Sequence, residues 1–112
     1  MEHRMKLWQQ PFTNIKEGTK DIELRLNDPK RQMIKIGDTI IFTSNQTGEE
    51  VKCVVTNLYH YNSFQELYDV FDKTRLGYKE DEECSYLDME KFYLKSEIVK
   101  YGVLGIEVKK VV

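Results

Sequence analysis

Two β-rich runs joined by a short polar loop constrain this chain most. Thr39 to Thr43 is rich in β-branched residues, and Val51 to Tyr61 is a longer run of the same character. Between them, Ser44 to Glu49 is a polar loop that contains Gly48. That arrangement predicts an antiparallel hairpin. Lys52, Thr56 and Tyr59 interrupt strict alternation in the second run, which predicts a bulge or a strong bend there.

The remaining pattern fills in around this hairpin. Met5 to Trp8 reads as a short first strand. Pro11 suits the first turn of a helix, where its missing N–H has no partner to lose, and Gly18 suits that helix's end. Asp21 to Leu26 reads as a strand with Ile22, Leu24 and Leu26 toward the core and Asp21, Glu23 and Arg25 on the opposite face. Asn27-Asp28-Pro29 is a turn. Ser63 and Glu66 have capping-box spacing ahead of a helix over Ser63 to Lys73. Leu87 to Leu94 looks helical, Ser96 to Lys100 adds a further turn, and Tyr101 to Lys110 reads as a final strand.

Strands that do not alternate regularly with helices argue against a doubly wound parallel sheet. The expected class is α+β, a small and mainly antiparallel β-barrel with helices packed over one mouth. Five or six strands in this length are expected to close on themselves and so remove exposed edges. At 112 residues the chain is expected to form one domain, residues 1–112, with a single modest core.

Charge limits the functional classes. With 17 Lys and Arg against 19 Asp and Glu, the chain is not the uniformly basic kind that grips nucleic acid with its whole surface. The charge is uneven. Residues 1–40 carry eight basic and six acidic side chains, and residues 62–100 carry six and ten. A locally positive groove beside an acidic segment is compatible with this, as is solvated charge on both halves.

Cys53 and Cys84 show no metal-ligand spacing and no disulfide framework, and no metal or cofactor is expected. There is no signal-peptide pattern and no run of membrane-spanning length. A cytoplasmic location is therefore expected, with no membrane partner. His3, near the start, is expected to be disordered.

The stretch with most chemical promise is Gly18 to Arg25. It places Lys20, Glu23 and Arg25 on or beside one rigid strand. They read either as a structural ion-pair cluster or as a site for a polyanion or nucleobase. In the second reading Arg25 holds a phosphate or stacks on a base, Lys20 adds a point charge, and Glu23 orients Arg25 or accepts from an exocyclic amine. Arg31, with Lys30 and Lys35, either extends a basic rim or lies in a solvated turn. Trp8, Tyr59, His60 and Tyr61 read as core residues, with Tyr59 the candidate stacking platform.

Gly18, Lys20, Glu23 and Arg25 together match Gly-x-Lys-x-x-Glu-x-Arg, which resembles the signature of the ASCH domains (activating signal cointegrator homology). Lys35-Ile36-Gly37-Asp38 ahead of Thr39 to Phe42, Tyr61-Asn62-Ser63-Phe64, and Tyr101 to Ile106 are similar to further family segments in the same order. The likeness is weakest over residues 74–95. It implies a fold like that of PUA domains and a cleft, lined by the signature, that takes RNA or a nucleotide-like ligand. It also implies an alternative, because some bacterial members are small amidohydrolases that deacylate N4-acetylcytidine. In those the signature Lys works with a Thr three residues later and a distant Glu. Here that position is Glu23, which turns Lys20 and Glu23 from a nucleophile pair into an ion pair, with Lys20 and Glu23 the acid–base candidates if the chain is an enzyme. Glu80, Asp81, Glu82 and Glu83 all compete for the place of the distant Glu. A protein-interaction or regulatory role with a protein partner is the remaining alternative.

Overall fold

The computed structural model describes residues 1–111. Five strands form one curled sheet: β1 (Glu2–Leu7), β2 (Ile22–Leu26), β3 (Thr39–Ser44), β4 (Glu50–Tyr61) and β5 (Val103–Lys110), in the order β1-β3-β4-β5-β2. The helices are α1 (Gln9–Glu17), α2 (Phe64–Val70), α3 (Leu87–Glu90) and α4 (Lys95–Tyr101), with a 3₁₀ turn at Arg31–Met33. The α+β class and the mainly antiparallel character hold, and the predicted β3–β4 hairpin is present. The bulge falls between Val55 and Asn57, where β4 shifts register against β5.

Three features depart from expectation. β1 begins at Glu2 and runs parallel to β3, with His3 opposite Ile40. His3 is therefore ordered, and its Nε2 lies 2.8 Å from Asp38 Oδ2. Second, the sheet is a half-barrel: among the described residues no backbone ladder joins its edge strands β1 and β2. A single side chain crosses that seam, Arg25 Nη2 donating to the Lys6 carbonyl at 3.2 Å. Third, the expected helix over Leu87 to Leu94 is only α3, and α2 stops at Val70 rather than Lys73. Both are cut by packing. Phe71 turns extended to set its ring against Tyr59, at 4.8 Å between centroids, and Tyr93 stacks on Phe64 at 5.8 Å.

The sheet buries side chains on both faces. Its concave face packs Met5, Leu7, Ile40, Phe42, Leu104 and Ile106 against Phe12 and Ile15 of α1. The other face packs Ile22, Leu24, Leu26 and Val103 under Phe64 and Leu67 of α2 and Ile98 of α4. Residues directly opposite in an antiparallel pair share a face. Glu23 is opposite Ile106 and Arg25 opposite Leu104. The charged face of β2 is thus the rim of the inner core and not a solvent surface.

Local sequence explains the elements that frame this rim. Trp8, extended, precedes α1, and Pro11 occupies its first turn. Gly18 ends α1 at φ 87°, its N–H donating to the Ile15 carbonyl, a left-handed cap that glycine adopts freely. The Lys20 N–H then bonds the Asn14 carbonyl, which delivers its side chain to the start of β2. On the far side, the Arg75 carbonyl accepts from both Asp21 and Ile22 N–H groups, pinning the segment after α2 beside the same strand.

Candidate functional site

A cleft of about 560 Å³ opens at the seam, within the size range of small-molecule sites. Lys6, Leu7 and Trp8 at the end of β1 form one bank, and Glu23, Leu24 and Arg25 of β2 the other. Asn14 of α1 lines it too. Tyr68 of α2 and the segment from Leu76 to Tyr93 complete the walls.

Lys20, Glu23 and Arg25 converge on its floor. Lys20 Nζ lies 3.2 Å from Glu23 Oε1 and donates to the Leu76 carbonyl at 3.3 Å. Arg25 engages Glu23 Oε2 through Nε at 2.8 Å and Nη2 at 2.7 Å. Lys20 is 7% exposed and Glu23 4%. Burial acts to raise the Glu23 carboxyl, but the charges of Lys20 and Arg25 overcome it and hold the group below the ordinary glutamate range. Burial acts to lower the Arg25 guanidinium, and Glu23 more than reverses that.

Donor counting shows what this floor offers. An ammonium has three donors, and Lys20 commits two. Arg25 commits Nε and Nη2, and its Nη1 has no hydrogen-bond partner among the described residues. Two cations and one carboxylate leave one net positive charge on the floor itself, while Lys6, Glu82 and Asp88 bring the formal charge of the whole lining to zero. The floor can bind an anion or a carbonyl oxygen, and Trp8, which is 61% exposed, and Phe92, which is 63% exposed, add open aromatic surface to the lining.

The other expected residues lie elsewhere. Tyr59 does not line the cleft. It is opposite Gly105 of β5, hence on the helix-covered face, where it packs on Phe71 and donates to Glu107 Oε2 at 3.1 Å. Arg31 is also outside the lining, held by Asp28 at 3.3 Å at the start of the 3₁₀ turn. Of the four acidic candidates, Glu82 lines the cleft. Trp8, expected in the core, is instead 61% exposed, at the cleft, in the extended residue just ahead of α1.

Tyr68, Tyr78, Asp88, Phe92 and Tyr93 are cleft residues that sequence reasoning missed. Tyr68 lies among helically spaced apolar residues and reads as packing. The others fall in the region where family likeness is weakest. Their one visible signal is aromatic density in an otherwise acidic segment.

A curled half-barrel with helices over it and a charged cleft at its open seam defines a PUA-like fold. The family model described as "ASCH domain" matches residues 5–111, and the chain belongs to the ASCH family. Hypothetical protein PH0355, known from a crystal structure, is 32% identical with a TM-score of 0.83, over 99% of this chain and 100% of its own. Protein PF0455 from Pyrococcus furiosus, solved by solution NMR, is 32% identical with a TM-score of 0.78, over 99% and 98%. A point mutant of ZmASCH from Zymomonas mobilis shares the fold, with a TM-score of 0.71 at 11% identity over 96% of this chain and 67% of its own. No curated protein matches the chain. ASCH and PUA-like domains are generally linked to RNA or nucleotide binding. Among the described residues no helix is long and apolar enough to cross a membrane.

Proposed function

We propose that this chain binds RNA or a nucleotide through the seam cleft. The observation that carries the reading is the meeting of Lys20, Glu23 and Arg25 on the floor of an aromatic-walled cavity. Walls of this kind favour a planar base, since base–aromatic stacking is worth about 1–3 kcal/mol per base. The spare donors of Lys20 and Arg25 suit a phosphate or a base carbonyl. Glu23 keeps both cations in place and aimed.

The same geometry weighs against hydrolysis. Glu23 stands where the amidohydrolases resembled here carry a Thr, and Lys20 is ion-paired with Glu23 while it donates to the Leu76 carbonyl. An ammonium so engaged has no lone pair with which to take a proton.

Trp8 is the one tryptophan of the chain and stands at the cleft rim, so its fluorescence reports binding directly. Titration with single-stranded RNA and with nucleoside monophosphates is expected to quench it. Arg25→Ala is expected to weaken binding by about 1–3 kcal/mol and to lower the salt slope by about one for an RNA phosphate contact. Trp8→Ala, followed by anisotropy of a labelled RNA, is expected to weaken it by about 1–3 kcal/mol. Undiminished affinity in both variants would refute the proposal.

A further inference from the structure

A second polar group lines the same cleft. Tyr78 Oη lies 2.8 Å from Asp88 Oδ2 and 2.8 Å from Tyr68 Oη, with the Ser85 carbonyl farther off at 3.2 Å. A phenol has one proton, and an ionised carboxylate only accepts. The short, charge-assisted contact with Asp88 therefore takes the Tyr78 proton. The contact between the two phenols then needs the Tyr68 proton. Donation runs one way, from Tyr68 to Tyr78 to Asp88.

Both phenol protons are spent inside this chain. What the wall offers a guest is lone pairs, on Tyr68 Oη and on the Asp88 carboxylate. Burial pushes both phenols up, Tyr68 to about 12, so both keep their protons at neutral pH. The floor is the reverse, because the free positions of Lys20 and Arg25 only donate. A flat guest touching both must turn an acceptor to the floor and an N–H donor to the wall.

We propose that the Tyr68–Tyr78–Asp88 chain is a specificity device, selecting nucleobases that carry an exocyclic amine over those with a carbonyl at the same position. The proposal rests on the nucleotide reading above and names the class of base. Cytosine and adenine carry such an amine, whereas uracil and hypoxanthine carry a carbonyl there and can offer the wall only a ring N–H beside that carbonyl, whose lone pairs oppose the wall's own.

The test titrates Trp8 fluorescence of the full chain with cytidine, uridine, adenosine and inosine 5′-monophosphates. Cytidine is expected to bind more tightly than uridine, and adenosine more tightly than inosine, by about ten- to a hundredfold. Tyr68→Phe removes one of the wall's two accepting groups, leaving the Asp88 carboxylate, and is expected to narrow each ratio. Asp88→Asn goes further. Its amide can donate to Tyr78, which lets the chain run backwards and turns the Tyr68 proton toward the guest, so the preference is expected to shift to uridine and inosine. Asp88 is 41% exposed, so this variant spares the core. Equal affinity within each pair, or ratios that survive both substitutions, overturns the specificity proposal while leaving nucleotide binding intact. Failure of all four to bind overturns the nucleotide reading itself.

Discussion

Replacing Glu23 with Gln tests the charge balance of the floor. The carboxylate is 4% exposed and receives Lys20 at 3.2 Å and Arg25 at 2.8 and 2.7 Å. An amide of the same shape can accept from one cation but must turn its NH₂ toward the other. A buried Lys20 and a half-buried Arg25 are then left on the floor without their counter-charge. Breaking a buried ion pair in this way costs about 3–5 kcal/mol. For a chain of this length that lowers the midpoint by about 12–20 °C. A thermal melt followed by circular dichroism at pH 7 measures it.

A second arm uses acid. Because the folded Glu23 carboxyl sits below its ordinary value of 4.5, its contribution is fully present above that pH and is lost as pH falls through the depressed value. The wild type is expected to lose stability over that window, and Glu23→Gln is expected to lack this component. Adding Lys20→Met to Glu23→Gln removes one of the stranded cations and is expected to recover part of the loss. A midpoint drop under about 4 °C for the single variant, near 1 kcal/mol, together with an unchanged acid limb, would refute the reasoning.

Two further outcomes follow from the fold. Gly102 joins α4 to β5 at φ 72°, and a Cβ there would sit 2.9 Å from the Tyr61 carbonyl oxygen; Gly102→Ala is expected to cost about 2 kcal/mol or more, read as a lower urea midpoint. Asp38 is held down to about 2, first by the His3 hydrogen bond and then by the Lys35 N–H, so its stabilisation is present above 3.8 and is lost as pH falls toward 2. Asp38→Asn is expected to flatten that part of an acid titration monitored by circular dichroism at fixed urea.

Local chemistry made much of the fold legible. The β3–β4 hairpin, the bulge beside Thr56, the Gly18 cap and the Ser63 cap of α2 all follow from residues within a few positions of one another. The misses share a cause, which is contact between distant segments. Glu2, Arg4 and Lys6 give β1 a polar alternation that masks its start, and its partner β3 lies more than thirty residues on. Tyr59 reads as a platform until the register sets it opposite Gly105. Alternation also placed Glu23 and Arg25 on a polar face, since one strand's pattern does not reveal that the sheet curls until both faces are covered. The signature trio was visible because Lys20, Glu23 and Arg25 fall within six positions. Its aromatic surroundings were not, because they arrive from α2, from the long connection beyond it and from the residue ahead of α1.

The seam has a thermodynamic corollary. Lys6 and Arg25, whose contact spans it, belong to the two outermost strands, the parts of a sheet with fewest neighbours. Fraying at either margin dismantles the cavity while the interior ladders stay intact. A guest that grips both banks therefore acts as a clasp, and amide exchange should slow first at β1 and β2 when the cavity fills, well before any change reaches β4.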